Sequence, residues 1–198
     1  NAGHALLTGI AAPDRAARVA NTLLRVGSFS GWGIRTVAMS AARFNPISYH
    51  NGSVWPHDNA MIALGMARYG FKEAVLQIFA GLFSATSYWE PRRLPELFCG
   101  FARRGSGPTM YPVACSPQAW ASAAGFALVQ ACLGLQFAPD TREIRFEHPL
   151  LPKFLDYLHI RGLRVGDAEA DVRLQRSGNE IAATVTRRRG GARVVIVH

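Results

Sequence analysis

Sixteen residues from Phe44 to Asn59, Phe-Asn-Pro-Ile-Ser-Tyr-His-Asn-Gly-Ser-Val-Trp-Pro-His-Asp-Asn, hold two His, an Asp, three Asn, a Tyr and a Trp, with two prolines and one glycine fixing the backbone. The stretch follows neither the 3.6-residue period of a helix nor the alternation of a strand. It reads as a loop that feeds a helix at Pro56, because proline's fixed φ and missing N–H suit the first helical position. Ordering a loop this dense in aromatic and hydrogen-bonding groups costs chain entropy, which a site would justify. The competing reading is a turn-rich connection whose polar groups only satisfy one another.

The rest of the chain has room for a core. It has 198 residues, 49% of them hydrophobic, enough for one large domain or a medium one with an appendage. Three widely spaced cysteines (Cys99, Cys115, Cys132) show no metal-ligand spacing and no disulfide scaffold, so a reducing, cytoplasmic setting is expected. No apolar run approaches the roughly 20 residues of a membrane span and no signal peptide is visible, so no membrane partner is expected. The first residue is Asn, inside sequence that reads as ordered, and a fragment or processed product is the expectation. The net charge of +9 comes mainly from scattered arginines. Arg187-Arg188-Arg189, followed by Gly190-Gly191, reads as a solvated hairpin end, and no nucleic-acid-binding signature accompanies it.

In chain order, residues 1–12 are small and apolar. Pro13-Asp14 opens a helix with Val19, Ala20, Leu23 and Leu24 on one face and Gly27 as its stop. Ser30-Gly31-Trp32-Gly33-Ile34-Arg35-Thr36 is a loop offering a flat ring beside a planar cation, or else an edge plug beside a solvated Arg35. Pro56–Tyr69 and Phe71–Tyr88 read as an antiparallel helical hairpin turning at Gly70. Residues 89–116 form a long aromatic-rich loop, a length that marks function or disorder, and the aromatic content argues against disorder. Pro117–Leu135 reads as the last helix, with Gln118 and Trp120 in its first turn. Alternating runs at Leu158–Val165, Ala168–Leu174, Glu180–Thr186 and Ala192–Val197 follow, separated by turns at Gly166-Asp167, Ser177-Gly178-Asn179 and Gly190-Gly191. The expected fold is therefore mainly α with a small antiparallel β appendage, the helical part covering 1–138 and the β module 139–198. The carboxylates of the β module alternate with apolar residues and read as a solvated face.

Residues 1–138 contain only five acidic side chains: Asp14, Asp58, Glu73, Glu90 and Glu96. Asp14 and Glu73 sit in helix first turns, where the dipole accounts for them. Glu90 stands beside Arg92-Arg93 and reads as one half of a surface ion pair. Asp58, Glu90 and Glu96 remain as the pool for acid–base chemistry, with Asp58 and Glu96 the stronger candidates. Asp58 also lies in a helix first turn, so capping explains it equally well. Glu96, between Pro95 and Leu97-Phe98, is in an apolar setting that would raise its pKa or demand a hydrogen-bonded partner. His50 and His57 have no recognised metal spacing, there is no nucleophile elbow, and no phosphate-cradling glycine pattern follows a strand, so neither a metal nor another cofactor is expected. Rings, amides, Arg and a few carboxylates on helical hairpins suit recognition of a sugar.

Four segments, Ser-Gly-Trp-Gly-Ile-Arg-Thr (30–36), Tyr-His-Asn-Gly-Ser-Val-Trp-Pro-His-Asp-Asn (49–59), Leu-Pro-Glu-Leu-Phe-Cys-Gly (94–100) and Cys-Ser-Pro-Gln-Ala-Trp-Ala (115–121), occur in that order. With Asn1–Gly9 and Leu-Arg-Val-Gly (163–166), they resemble the C-terminal part of bacterial amylo-α-1,6-glucosidases, the glycogen-debranching glucosidase family. The resemblance implies part of an (α/α)6 toroid, of which this chain shows about four helices, with residues 1–12 and 33–43 as candidates for more. It implies inverting hydrolysis of an α-glucosidic bond, with two carboxyl groups roughly 6.5–9.5 Å apart around a water. By resemblance Glu96 is the general base. The family's general acid lies in an upstream Gly-Arg-Asp motif that this sequence does not contain, and Asp58 is the one alternative acid. The resemblance also implies a sugar pocket lined by Trp32, Arg35, Tyr49, His50, Asn51, Trp55, His57, Gln118 and Trp120. The implied partners are an α-glucan oligosaccharide or polysaccharide and either the missing N-terminal part of the toroid or a second copy. A non-catalytic carbohydrate-binding or assembly module, inactive alone, is the alternative reading.

Overall fold

The computed structural model describes residues 2–90, 92–178 and 180–198, so Asn1 of the first segment, Pro91 of the long loop and Asn179 of the Ser177-Gly178-Asn179 turn lie outside the described residues. The chain divides into two compact units, Asn1–Leu128 and Val129–His198.

The first unit is helical with long connecting loops. Its helices are α1 (His4–Thr8), α2 (Pro13–Leu24), α3 (Pro56–Arg68), α4 (Lys72–Thr86) and most of α5 (Ala119–Leu133). Proline occupies the start of α2 and α3, where its fixed φ costs nothing and no hydrogen bond is lost. α2 ends at Leu24, three residues before Gly27, because Arg25 already takes an extended conformation. Gly70, at φ +77°, turns the chain from α3 into α4. The pair buries Ile62, Ala63 and Met66 from one helix and Val75, Ile78, Leu82 and Ala85 from the other. Short α1 lies close against α3: a Cβ on Gly65 would come within 2.5 Å of the Leu7 amide nitrogen. Residues 33–43 supply no helix; Ile34 and Arg35 instead make isolated bridges to Phe29 and Val54.

α5 stops at Leu133 rather than Leu135, because Gly134 takes φ +58° and Leu135 already belongs to a strand. The second unit has two three-stranded sheets, one ordered β1–β2–β6 (Leu135–Ala138, Glu143–Glu147, Arg193–Val197) and one ordered β3–β4–β5 (Tyr157–Val165, Ala168–Ser177, Glu180–Arg189). Leu133, Ile144, Phe146, Leu151, Val165, Val172, Leu174 and Ile181 belong to one apolar cluster fed by both sheets. The general plan, helices followed by a β module, is the expected one, with three corrections inside the module. First, it is not wholly antiparallel, since β6 runs parallel to β2 with Ile144 opposite Val194. Secondly, Gly190-Gly191 closes no hairpin but carries the chain from β5 into the other sheet. Arg187 at that end is not merely solvated: its Nη1 lies 3.2 Å from Glu169 Oε1 and 3.7 Å from Asp171 Oδ2. Thirdly, the carboxylates are not all on a solvated face. An irregularity between Asp171 and Val172 breaks the alternation, so Ala170, Asp171 and Val172 are buried in succession. Asp171 Oδ1 accepts the Gly162 amide at 2.7 Å, and buried Glu143 pairs with Arg145 at 2.9 Å.

Two helical glycines separate close approach from open space. Gly65→Ala forces α1 off α3 and is expected to lower stability by about 1–3 kcal/mol. Gly125→Ala in α5, where an added Cβ meets nothing within 4 Å, is expected to raise it by about 0.5–1 kcal/mol. Urea unfolding of both variants checks the opposite signs.

Candidate functional site

The loops of the first unit are held by backbone pairing outside any regular sheet. Arg35 bridges Val54, Val54 bridges Phe98, and Phe98 bridges Met110. Val54 and Phe98 exchange both hydrogen bonds, at 2.9 and 3.1 Å. Gly52 and Gly100 lie where these loops touch, and a Cβ on Gly100 would overlap the Gly52 carbonyl oxygen. Asn59, in the first turns of α3, staples a further loop: its Oδ1 accepts the Ile34 amide at 2.6 Å and its Nδ2 donates to the Ile34 and Trp55 carbonyls.

This pairing buries Leu94, Leu97 and Phe98 and leaves Glu96 half-buried among them. Its amide donates to the Cys115 carbonyl at 2.9 Å. Its carboxylate accepts the Tyr49 hydroxyl at 2.7 Å on Oε1 and, at 3.4 Å, the Cys115 amide on Oε2. The hydrogen-bonded partner that the apolar setting demanded is therefore Tyr49. The same bond, first among the causes, pushes the Tyr49 hydroxyl up to about 12, with desolvation and the Glu96 charge adding to it. Carboxylate oxygens have lone pairs beyond these two contacts, so Glu96 can still accept a proton from water.

Around this pair runs a chain of ring contacts. Tyr111 meets Tyr49 at 5.6 Å between centroids with the rings at 64°, and Tyr49 meets His50 at 4.7 Å and Trp55 at 4.9 Å, both near perpendicular. Trp55 stacks with His50 and stands edge-on to His57, which stacks on Trp120 at 4.0 Å. Trp55 is the residue before α3, and its indole N–H donates to the Tyr49 carbonyl and the Ser53 hydroxyl. Trp120, in the first turn of α5, keeps 59% of its surface exposed. His57 is buried, and its Nδ1 has no hydrogen-bond partner among the described residues. Burial pushes its imidazole below the usual range, opposed by the charges of Asp58 and Glu96.

The other sequence candidates sit as follows. Asp58 pairs with His4, Oδ1 to Nε2 at 3.0 Å, on the side of α3 that meets α1. Arg35 is 4% exposed; its Nε donates to the Gly100 carbonyl at 2.6 Å and its Nη1 to Val26 and Gly27 carbonyls, a clamp between loops. Trp32 is 2% exposed, under the Arg103 guanidinium at 4.2 Å and edge-on to Tyr88. Asn51 accepts the Asn45 amide through its backbone carbonyl, and Gln118, just before α5, has a buried amide oxygen without a partner among the described residues. Sequence reasoning did not single out Tyr111, Ser53 and Cys115. Tyr111-Pro112 in the long loop was the available signal for the first. The other two act through geometry that no motif shows. Among the described residues, no group of three or more His, Cys, Asp or Glu is placed to hold a metal ion, and no helix is long and apolar enough to cross a membrane.

Residues 4–99, just under half of the chain, match the family described as the mannosylglycerate hydrolase MGH1-like glycoside hydrolase domain. The match contains α1 to α4, the Phe44–Asn59 loop and Glu96. It supports a glycoside hydrolase relationship, and it does not single out amylo-α-1,6-glucosidases. No curated protein matches the chain.

The Tyr49–Glu96 bond has a titration signature. Because the folded Tyr49 pKa lies above the ordinary value of about 10, the bond's contribution to stability is whole below about pH 10 and is lost as pH rises toward about 12. Tyrosinate absorbance should show one group ionising near pH 12 in the folded chain, returning toward about 10 in Glu96→Gln. An unchanged titration in that variant would remove Glu96 as the cause.

Proposed function

We propose that this chain carries the base-bearing, sugar-recognising part of an inverting glycoside hydrolase site, with Glu96 as general base. One observation supports it above the others: Glu96 is the carboxylate hydrogen-bonded to Tyr49 at 2.7 Å inside a chain of six aromatic and imidazole rings. Tyr49 holds the carboxylate oriented, as abstraction of a proton from water requires. Ring faces suit the apolar face of a pyranose, and exposed Trp120 and His50 stand at the solvent side of the chain. The reaction class fits the matched family. An α-1,6-glucoside is the substrate that the sequence motifs favour, and a mannosylglycerate is the one that the matched family's name favours.

Inversion also needs a carboxylic acid on the opposite side of the bond. Asp58 is engaged with His4, which favours a structural role for it, so the acid is supplied from outside this chain. The isolated chain should therefore bind sugars with little or no turnover. Calorimetry with glucose, isomaltose, maltotriose and methyl α-mannoside should show heat for at least one of them. Trp55→Ala or Trp120→Ala should weaken that binding about ten-fold, and Glu96→Gln should bind normally. Absence of heat with every sugar would leave only an assembly role. Steady turnover lost in Glu96→Gln would show that the chain is catalytically self-sufficient.

A second reading, an assembly module that packs against further toroid helices or a second copy, is favoured by large apolar side chains on α4 and α5: Phe83 is 48% exposed and Phe126 81%. Sedimentation should show concentration-dependent association that Phe83→Glu with Phe126→Glu reduces. A monomer at all concentrations would oppose association with a second copy.

A further inference from the structure

A depression of about 260 Å³ lies in the first unit, between Trp32 and the loop that follows Gly100. Trp32 and Phe101 give it apolar walls, and Arg104, Ser106, Gly107 and Thr109 give it polar ones. The loop is held near both ends. The Arg103 amide donates to the Ser30 carbonyl at 2.7 Å, and the Thr109 carbonyl accepts the Cys99 amide at 2.9 Å. Gly107 sits so close to Tyr88 that a Cβ there would come within 2.4 Å of the ring. The depression is thus preformed, and a ligand would have little of it to order.

Its charge is of one sign. Arg104 is exposed, and its guanidinium has no partner among the described residues. Arg103 lays a second guanidinium over the ring of Trp32, 4.2 Å from the centroid. No carboxylate lines the depression, and residues 97–128 contain none. Gly105 and Ser106 form a turn that Gly107 leaves at φ +84°. Turns with such a left-handed residue gather successive N–H groups into an anion-holding concavity. The Ser106 and Gly107 amides and the Ser106 and Thr109 hydroxyls bond to nothing else among the described residues. The turn follows no regular strand, so it is not the nucleotide cradle of a strand-to-helix glycine loop.

We propose that this depression binds the oxyanion of a small molecule, a phosphate or a carboxylate, on Arg104 with the hydroxyls of Ser106 and Thr109 and the amides of the Ser106–Gly107 turn. A guanidinium and a backbone N–H only donate, and an ionised oxyanion offers several acceptors to them at once. Hydrogen bonds to it are charge-assisted and roughly twice as strong as neutral ones. A neutral sugar in the same place would draw the guanidinium out of water and leave its charge uncompensated. The proposal does not rest on the sugar reading of Glu96, since neither Glu96 nor Tyr49 lines this depression.

NMR titration of the whole 198-residue chain with inorganic phosphate and, separately, with acetate tests this, with sodium chloride holding the ionic strength constant. At least one anion should give saturable shifts confined to Arg104–Thr109 and Trp32, and the tighter of the two names the group that the site takes. Arg104→Ala, at an exposed position where folding should tolerate it, should weaken that binding at least about ten-fold, with an unchanged melting curve as the control. Arg43→Ala, which removes an exposed arginine outside the lining, should leave it unchanged. No saturable shift with either anion overturns the site. So do shifts spread over the chain's arginines, or an equal loss in the two variants, because either would mark general attraction to a basic surface.

Discussion

Arg35 and Val54, from the connection between α2 and α3, and Phe98 and Met110, from the connection between α4 and α5, lie side by side as a ladder one residue wide. Everything described at the site hangs on it. Buried backbone amides and carbonyls cost free energy when unpaired, and loops ordinarily avoid that by running over the surface. Here Val54 and Phe98 are fully buried, and their backbone groups pair with each other. The pairing fixes the loop bearing Tyr49 against the loop bearing Glu96, and the 2.7 Å bond between those side chains follows from that registration. Gly52 and Gly100 are required at the crossing because no side chain fits between the two backbones.

Arg35 shows how far this loop layer is treated as interior. A guanidinium at 4% exposure needs partners for its donors, and three main-chain carbonyls from two segments accept from its Nε and Nη1. The residue that looked like a sugar-binding cation works in this structure as a clamp. Trp32 likewise carries the Arg103 guanidinium on its ring. Both belong to one sequence motif, and both are buried in contacts within the fold. The ring and carboxylate groups that remain for a ligand are half-buried Tyr111, Tyr49 and Trp55 and exposed Trp120, with half-buried Glu96 bonded to Tyr49.

Periodicity located the helices well because α3 and α4 are long, begin at recognisable residues and turn at Gly70, all of which are local properties. It did less well in the β module. Alternation marks a strand and its faces but names no partner, so the parallel pairing of β6 with β2 and the passage of the chain between sheets at Gly190-Gly191 were not legible. The break of period at Asp171 was equally hidden, since a bulge depends on the neighbouring strand. At the site, counting acidic residues left Asp58, Glu90 and Glu96, with Asp58 and Glu96 the stronger two, because carboxylates are scarce in the helical part. What separates them is His4, a residue 54 positions from Asp58 that only packing of α1 on α3 brings within 3.0 Å.

The sequence by itself determined which groups were available: one loop crowded with rings and amides, a carboxylate set among apolar neighbours, and helices to carry them. Those are consequences of residue type and spacing along the chain. Tertiary structure decided which groups meet. Tyr49 and Glu96 are 47 residues apart, and their contact exists because backbone pairing of Val54 with Phe98 leaves them on the same side of the crossing. Hydrogen bonds act over about 3 Å of space, and no local pattern along a chain records that distance.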